Sequence, residues 1–212
     1  MDWAHPIVRD WFKNRFEAPT APQTAGWPSI LAGKTTLISA PTGSGKTLSA
    51  FLVCIDQLVR QSLLNELSQE TQVLYVSPLK ALGNDVQKNL MIPLNEISML
   101  AKKRDLVMTD INIAVRTGDT LLHERQAMLK KPPHILVTTP ESLYLLLTAE
   151  KSRQMLKSVK TVIVDEIHAL VNNKRGTHFA LSLERLEALT QQPLITCQCK
   201  KTPFSKTAMP MT

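Results

Sequence analysis

Two short stretches carry residues whose types and spacing could do chemistry, "APTGSGKT" at 40–47 and "VDEIH" at 164–168. In the first, Gly43 and Gly45 permit backbone conformations closed to other residues, so successive N–H groups can turn toward phosphate oxygens. A helix starting near Lys46 would add the positive end of its dipole. Lys46 can then reach the β- and γ-phosphates of ATP, and Thr47 can hold Mg²⁺ through its hydroxyl, so Thr42, Gly43, Ser44, Gly45, Lys46 and Thr47 form the expected phosphate-binding set. In the second stretch, Asp165 suits a direct or water-mediated Mg²⁺ contact and Glu166 suits activation of an attacking water. His168, a lone histidine after a turn, reads as structural when taken by itself.

Such groups work only if the fold brings them together, and the apolar pattern shows how it would. Strand-length apolar runs recur at "TTLIS" (35–39), "VLYVS" (73–77), "INIAV" (111–115), "HILVTT" (134–139) and "TVIVDE" (161–166). Near-continuous β-branched runs of this kind suit strands buried on both faces. Between them, "KTLSAFLVCIDQLVRQSLL" and "LKALGNDVQKNLMIPLNEISML" carry apolar residues at helical spacing, and "GTHFALSLERLEALT" (176–190) reads as an amphipathic helix. Strand alternating with helix predicts an α/β fold, a doubly wound parallel sheet with right-handed crossovers. In such a sheet, the phosphate loop after one strand and the carboxylates after another both face the crevice at the strands' C-terminal ends. The basic run "AKKRD" (101–105) reads as a solvated helix end.

Composition sets the outer bounds. At 43% hydrophobic and 20% charged, the 212 residues can fold around one core, and they show no signature of disorder or of a coiled coil. A net charge of +7 fits an anionic partner such as nucleic acid. Cys54, Cys197 and Cys199 form neither a four-ligand metal pattern nor a disulfide framework, so a reduced, cytoplasmic setting is expected. No apolar run approaches the roughly 18 residues that span a bilayer, and no membrane partner is expected. Oligomeric state is left unassigned.

Taken together, "APTGSGKT" and "DEIH" resemble the DExH-type superfamily 2 helicases, which have a RecA-like P-loop fold. Further segments follow in the family's order: "VSPLKAL" (76–82) is similar to its motif Ia, "RTGDT" (116–120) to motif Ib and "TTPESL" (138–143) to motif Ic. The stretch from "FEAPTAPQTAGWPSILAG" through the phosphate loop, together with "DEIHALVNNKRGTHFALSLERL", resembles more narrowly the large helicase-related (Lhr) group. The resemblance covers about residues 6 to 190. It implies ATP and Mg²⁺ as cofactors, catalytic roles for Lys46, Asp165 and Glu166, and adenine recognition by Gln23, with Phe16 nearby as a stacking face. It also implies backbone contacts to single-stranded or duplex nucleic acid, DNA before RNA, from Pro78, Lys80, Arg116, Thr117, Gly118, Thr138, Thr139 and Pro140. Small hydroxyls, loop N–H groups and cations are the donors that phosphates require.

Past Thr190 the pattern changes. "QQPLITCQCKKTPFSKTAMPMT" has no helical period, holds two of the three cysteines, and lacks the Ser-Ala-Thr motif that the resemblance places after the preceding helix. The expected organisation is therefore a first RecA-like ATP-binding domain over residues 1–190 and an atypical tail over 191–212, as a truncation or a shifted reading frame would leave. The family's second RecA-like domain, which donates arginine fingers, is not expected in the chain, so turnover by this chain alone is expected near background. The alternative is a non-catalytic nucleotide-binding or nucleic-acid-binding remnant. Within the tail, "LITCQC" (194–199) is β-compatible and follows a helix where the family places a central strand. Insertion of residues 194–199 between the "TTLIS" and "TVIV" strands is expected, with residues from Lys200 onward trailing as a disordered end.

Overall fold

Side chains alternate across a strand, so a run that is apolar at every position must bury both faces. The runs at 73–77, 134–139 and 161–166 do so by feeding two separate cores, whereas the run at 111–115 lies at the sheet edge and leaves Val115 exposed. The computed structural model describes residues 1–41, 43–78, 86–170, 174–201 and 208–210. Its strands are β1 (Thr36–Ala40), β2 (Val73–Val76), β3 (Ile113–Arg116), β4 (Ile135–Thr138), β5 (Thr161–Val164), β6 (Ile195–Lys201) and β7 (Ala208–Pro210). The helices are α1 (Pro6–Arg15), α2 (Ala21–Leu31), α3 (Lys46–Leu63), α4 (Ile92–Lys103), α5 (Leu122–Lys130), α6 (Pro140–Thr148), α7 (Glu150–Met155) and α8 (Lys174–Thr190). A π-helical turn, Gln87–Met91, leads into α4, and a 3₁₀ turn, Ile167–Ala169, follows β5.

One sheet joins all seven strands in the order β3-β4-β2-β5-β6-β1-β7. The first six run parallel. On one face, Ile38, Val73, Tyr75, Ile135, Val137, Ile163 and Cys197 pack against α1 to α4. On the other, Leu74, Val76, Leu136, Val162 and Val164 meet Leu143, Leu146 and Leu147 of α6, Met155 of α7, and Phe179 and Leu186 of α8. This is the doubly wound α/β sheet that the apolar runs predict.

The central slot between β5 and β1 is filled from the tail. Thr161–Val164 pair with Ile195–Gln198, and Thr36–Ala40 pair with Cys197–Lys201. Cys197 and Cys199 are fully buried, while Gln198 points to the other face and is only half-buried, which spares its amide a dry environment. The tail departs from expectation further on. Lys200 and Lys201 do not trail away but extend β6, and Ala208–Pro210 pair antiparallel with β1 at the sheet edge. An edge position tolerates Pro210, since a strand there needs no donor on its outer side.

Just before β4, His134 is almost fully buried, and its Nδ1 accepts the Asn112 N–H at 2.8 Å. Burial holds its pKa below the ordinary 6.5, Lys131 acting in the same direction and the Ser68 carbonyl opposing. Stability that depends on a neutral imidazole is present above pH 6.5 and is lost as pH falls toward and through the lower folded value, because the unfolded chain takes up the proton first. The midpoint of thermal unfolding should therefore drop below pH 6.5, more steeply in the unsubstituted chain than in His134→Asn, which keeps an acceptor but cannot charge. His5 also has a lowered pKa, from burial and then Arg60, and contributes equally to both proteins, so the difference between the two profiles isolates His134.

Candidate functional site

The loop between β1 and α3 takes its shape from two left-handed residues, Gly43 at φ 79° and Gly45 at φ 77°. Position 45 has a second reason to be glycine, since a Cβ there would lie 2.7 Å from Nε2 of Gln23. Thr20, at the N-cap of α2, donates from Oγ1 to the Ser44 carbonyl at 2.8 Å and fastens the loop from outside. Lys46 opens α3 and is 5% exposed, and its ammonium forms no ion pair among the described residues. A buried cation beside backbone N–H groups at a helix start is matched to an anion. Thr42 lies outside the described residues.

Directly across from the loop, at the C-terminal end of β5, stands Asp165, which is 4% exposed. Three donors orient its carboxylate: Thr47 Oγ1 reaches Oδ2 at 2.9 Å, the Tyr75 hydroxyl reaches the same oxygen at 3.0 Å, and the Glu166 N–H reaches Oδ1 at 2.8 Å. Glu166 itself adopts φ 51°, a conformation unusual for a residue with a side chain and one that clusters at functional sites. Its Oε2 lies 3.1 Å from Nε2 of His168, which ties the histidine to the site. Among the described residues no three His, Cys, Asp or Glu side chains gather as a metal centre. One carboxylate beside one hydroxyl is nevertheless the sparse donor set that suits Mg²⁺ when a ligand's phosphates complete the shell.

Gln23 also converges on this site, but its amide is engaged within the protein. Oε1 accepts the Thr20 N–H at 2.9 Å, and Nε2 lies 3.5 Å from the Gly45 carbonyl. Phe16 is 36% exposed and packs on Trp11 and Phe12. Beneath the loop, the Cys199 thiol contacts the Lys46 carbonyl at 3.8 Å. Burial first, then the nearby Asp165 charge, pushes its pKa well up, so it packs as an inert thiol.

The other candidate residues end β2, β3 and β4, on the neighbouring half of the same sheet edge. Thr138 is buried, and its hydroxyl donates to the Arg116 carbonyl at 2.6 Å. Thr139 caps α6, accepting the Ser142 N–H at 3.3 Å, and Pro140 takes the first helical position, where a missing N–H costs nothing. The Arg116 guanidinium donates to the Thr117 carbonyl. Burial, then the adjacent Arg125, lowers its pKa. The 117–120 turn is closed by the Thr117 N–H on Thr120 Oγ1 at 2.8 Å. Arg125 grips that turn from α5, donating to the Thr120 carbonyl at 2.7 Å and the Gly118 carbonyl at 2.8 Å. A Cβ at Gly118 would meet only open space. Pro78 follows β2, and Lys80 lies outside the described residues.

Thr20, Tyr75 and Arg125 escape a reading of the sequence. Tyr75 is signalled only by being an aromatic hydroxyl inside an otherwise apolar strand, since a buried phenol needs a partner. Arg125 is one more basic residue on a helix and carries no signal.

A profile of the DEAD/DEAH box helicase family matches residues 20–206. The chain is 53% identical over 182 residues to the ATP-dependent helicase Lhr-Core protein 2 of Thermococcus barophilus, covering 86% of itself and 21% of that protein. It is 52% identical over 187 residues to the Lhr helicase/probable uracil glycosylase of Mycolicibacterium smegmatis, covering 88% of itself and 12% of that protein. It thus spans about a fifth or less of the length of these relatives. The structure of Mycobacterium smegmatis helicase Lhr bound to ssDNA and AMP-PNP superposes with a TM-score of 0.86 at 49% identity, over 94% of this chain and 25% of that one. The DEAD-box helicase Mss116, at 16% identity and a TM-score of 0.75, shares the fold. A glycine-rich loop facing an oriented carboxylate across one sheet edge, in a sequence half identical to Lhr proteins and matched by the family profile over most of its length, places the chain in the DEAD/DEAH box helicase family as an Lhr-type helicase domain.

Proposed function

We propose that the chain binds ATP with Mg²⁺ at the C-terminal ends of β1 and β5, and that it offers the loops after β2, β3 and β4 to single-stranded nucleic acid, DNA before RNA. The observation that carries the reading is the meeting of Thr47 and Asp165 at 2.9 Å, which joins two stretches 118 residues apart into one cation-binding and phosphate-binding corner. Lys46 would neutralise the β- and γ-phosphates. Thr47 and Asp165 would hold Mg²⁺, which supplies charge neutralisation at the phosphate oxygens when bound. Glu166 would orient the attacking water and accept its proton as the oxygen bonds to the γ-phosphorus and the bond to the β–γ bridging oxygen breaks. Gln23, tethered to Thr20, would turn its Nε2 from the long Gly45 contact to the adenine edge. Support for DNA comes from the ssDNA held by the M. smegmatis Lhr structure, and the loops after β3 and β4 supply the ordered turn that phosphate contacts need.

Catalysis of phosphoryl transfer is almost wholly positioning and charge stabilisation, and arginine fingers of the kind that the family's second RecA-like domain donates are worth about 10³ to 10⁵ in rate. The purified 212-residue chain is therefore expected to bind Mg²⁺–ADP and single-stranded DNA, to turn over ATP near background with or without that DNA, and to separate no duplex. DNA binding should weaken steeply between 50 and 200 mM salt, as counterion release requires. Equilibrium binding and phosphate-release assays check both halves. Absence of Mg²⁺-dependent ADP binding would defeat the reading, and brisk ATP-driven unwinding by these 212 residues would show that turnover needs no arginine finger beyond them.

A further inference from the structure

Resting on that reading of the nucleotide corner, we infer that Tyr75 is a positioning residue for Asp165, the strand β2 hydroxyl that holds the carboxylate toward Thr47 and so sets the affinity of the corner for Mg²⁺. Tyr75 is fully buried, and its ring lies 4.9 Å from that of Phe51 on α3. Its hydroxyl reaches Asp165 Oδ2 at 3.0 Å, the oxygen that Thr47 also contacts. A charge-assisted bond from a side chain with only two soft torsions is a rigid tether, because the ring cannot follow the carboxylate if it swings away. The remaining oxygen, Oδ1, is taken by the Glu166 N–H at 2.8 Å, so rotation of the carboxylate is blocked from both ends. Tyr75 thus contributes to the cation corner without touching the nucleotide.

Outer partners of this kind typically change metal affinity by about 10- to 100-fold when removed. Tyr75→Phe keeps the ring and its packing on Phe51 and deletes only the donor. With a fluorescent ADP analogue, the variant should bind as the unsubstituted chain does in excess EDTA. It should need about tenfold more Mg²⁺ to reach half of the Mg²⁺-dependent gain in affinity, and in an Asp165→Asn background the same change should add nothing. An unchanged Mg²⁺ requirement in a folded Tyr75→Phe protein overturns the inference. A second measurement stands apart from nucleotide binding and from the variant's folding. The chain has only two tyrosines, so a ¹³Cζ-tyrosine label gives two resonances, Tyr75 and Tyr144. The Tyr75 resonance should shift in Asp165→Asn and on saturation of the unsubstituted chain with Mg²⁺–ADP, while Tyr144 stays in place. A Tyr75 resonance unmoved by Asp165→Asn overturns the tether even if nucleotide binding is normal, and a shift in Asp165→Asn without any ADP binding supports the tether while the nucleotide reading fails.

Discussion

Replacing Lys46 by alanine is expected to lower the affinity of the chain for Mg²⁺–ADP by about 10- to 100-fold, as a charge-assisted hydrogen bond worth about 1.5 to 3 kcal/mol would be removed. The expectation rests on where the side chain sits. Lys46 is 95% shielded at the first position of α3, beside a loop turned by two left-handed glycines, and no carboxylate among the described residues neutralises it. If phosphate is the partner of this cation, removing the cation acts on the bound state. The free protein should lose little stability and keep its thermal unfolding midpoint within a few degrees. Isothermal titration with ADP and Mg²⁺, alongside thermal unfolding of both proteins, separates loss of the phosphate contact from loss of the fold. Equal affinities would remove Lys46 from the phosphate site.

Deleting residues 191–212 is expected to abolish cooperative folding altogether. The deletion strips β6 from between β1 and β5, where nine residue pairs of the sheet ladder involve it, five on β1 and four on β5. Each buried backbone group left without a partner costs about 1 to 3 kcal/mol, against a total stability of about 5 to 15 kcal/mol for a domain of this kind. A handful of such groups therefore exceeds what the rest of the fold can supply. Circular dichroism should show no sigmoidal thermal transition for the shortened chain, with strong binding of a hydrophobic dye. Single substitutions refine the point. Cys197 is fully buried in the first core, and burial pushes its thiol pKa up to about 12, so the site is apolar. Cys197→Asp should behave like the deletion, whereas Cys197→Val, similar in size and suited to a strand, should fold. A shortened chain that still melts cooperatively would show that β6 is dispensable.

Much of this protein was legible in its sequence because the relevant signals are local. A glycine-rich turn between a strand and a helix is contiguous in the chain, and near-continuous apolar runs at 73–77, 134–139 and 161–166 suit strands covered on both sides. The β-compatible run at 194–199 was legible for the same reason, whereas the slot it fills was legible only through the family resemblance, which places a central strand after the preceding helix. What tertiary structure decided is where polar atoms from distant segments meet. The Tyr75 hydroxyl, Thr47 and Asp165 come from two strands and a helix separated by as many as 118 residues, and no spacing rule links a phenol on β2 to a carboxylate on β5. The grip of Arg125 on the 117–120 turn depends on how α5 lies against β3, and Gln23 has its amide drawn inward by Thr20 and Gly45 because α2 packs beside the phosphate loop. Residues 200, 201 and 208–210 were misread as trailing because the prolines and low apolar content of that segment argue against a strand. An unpaired edge on β1 outweighs that local preference, since backbone groups there gain partners whatever side chains the pairing segment carries.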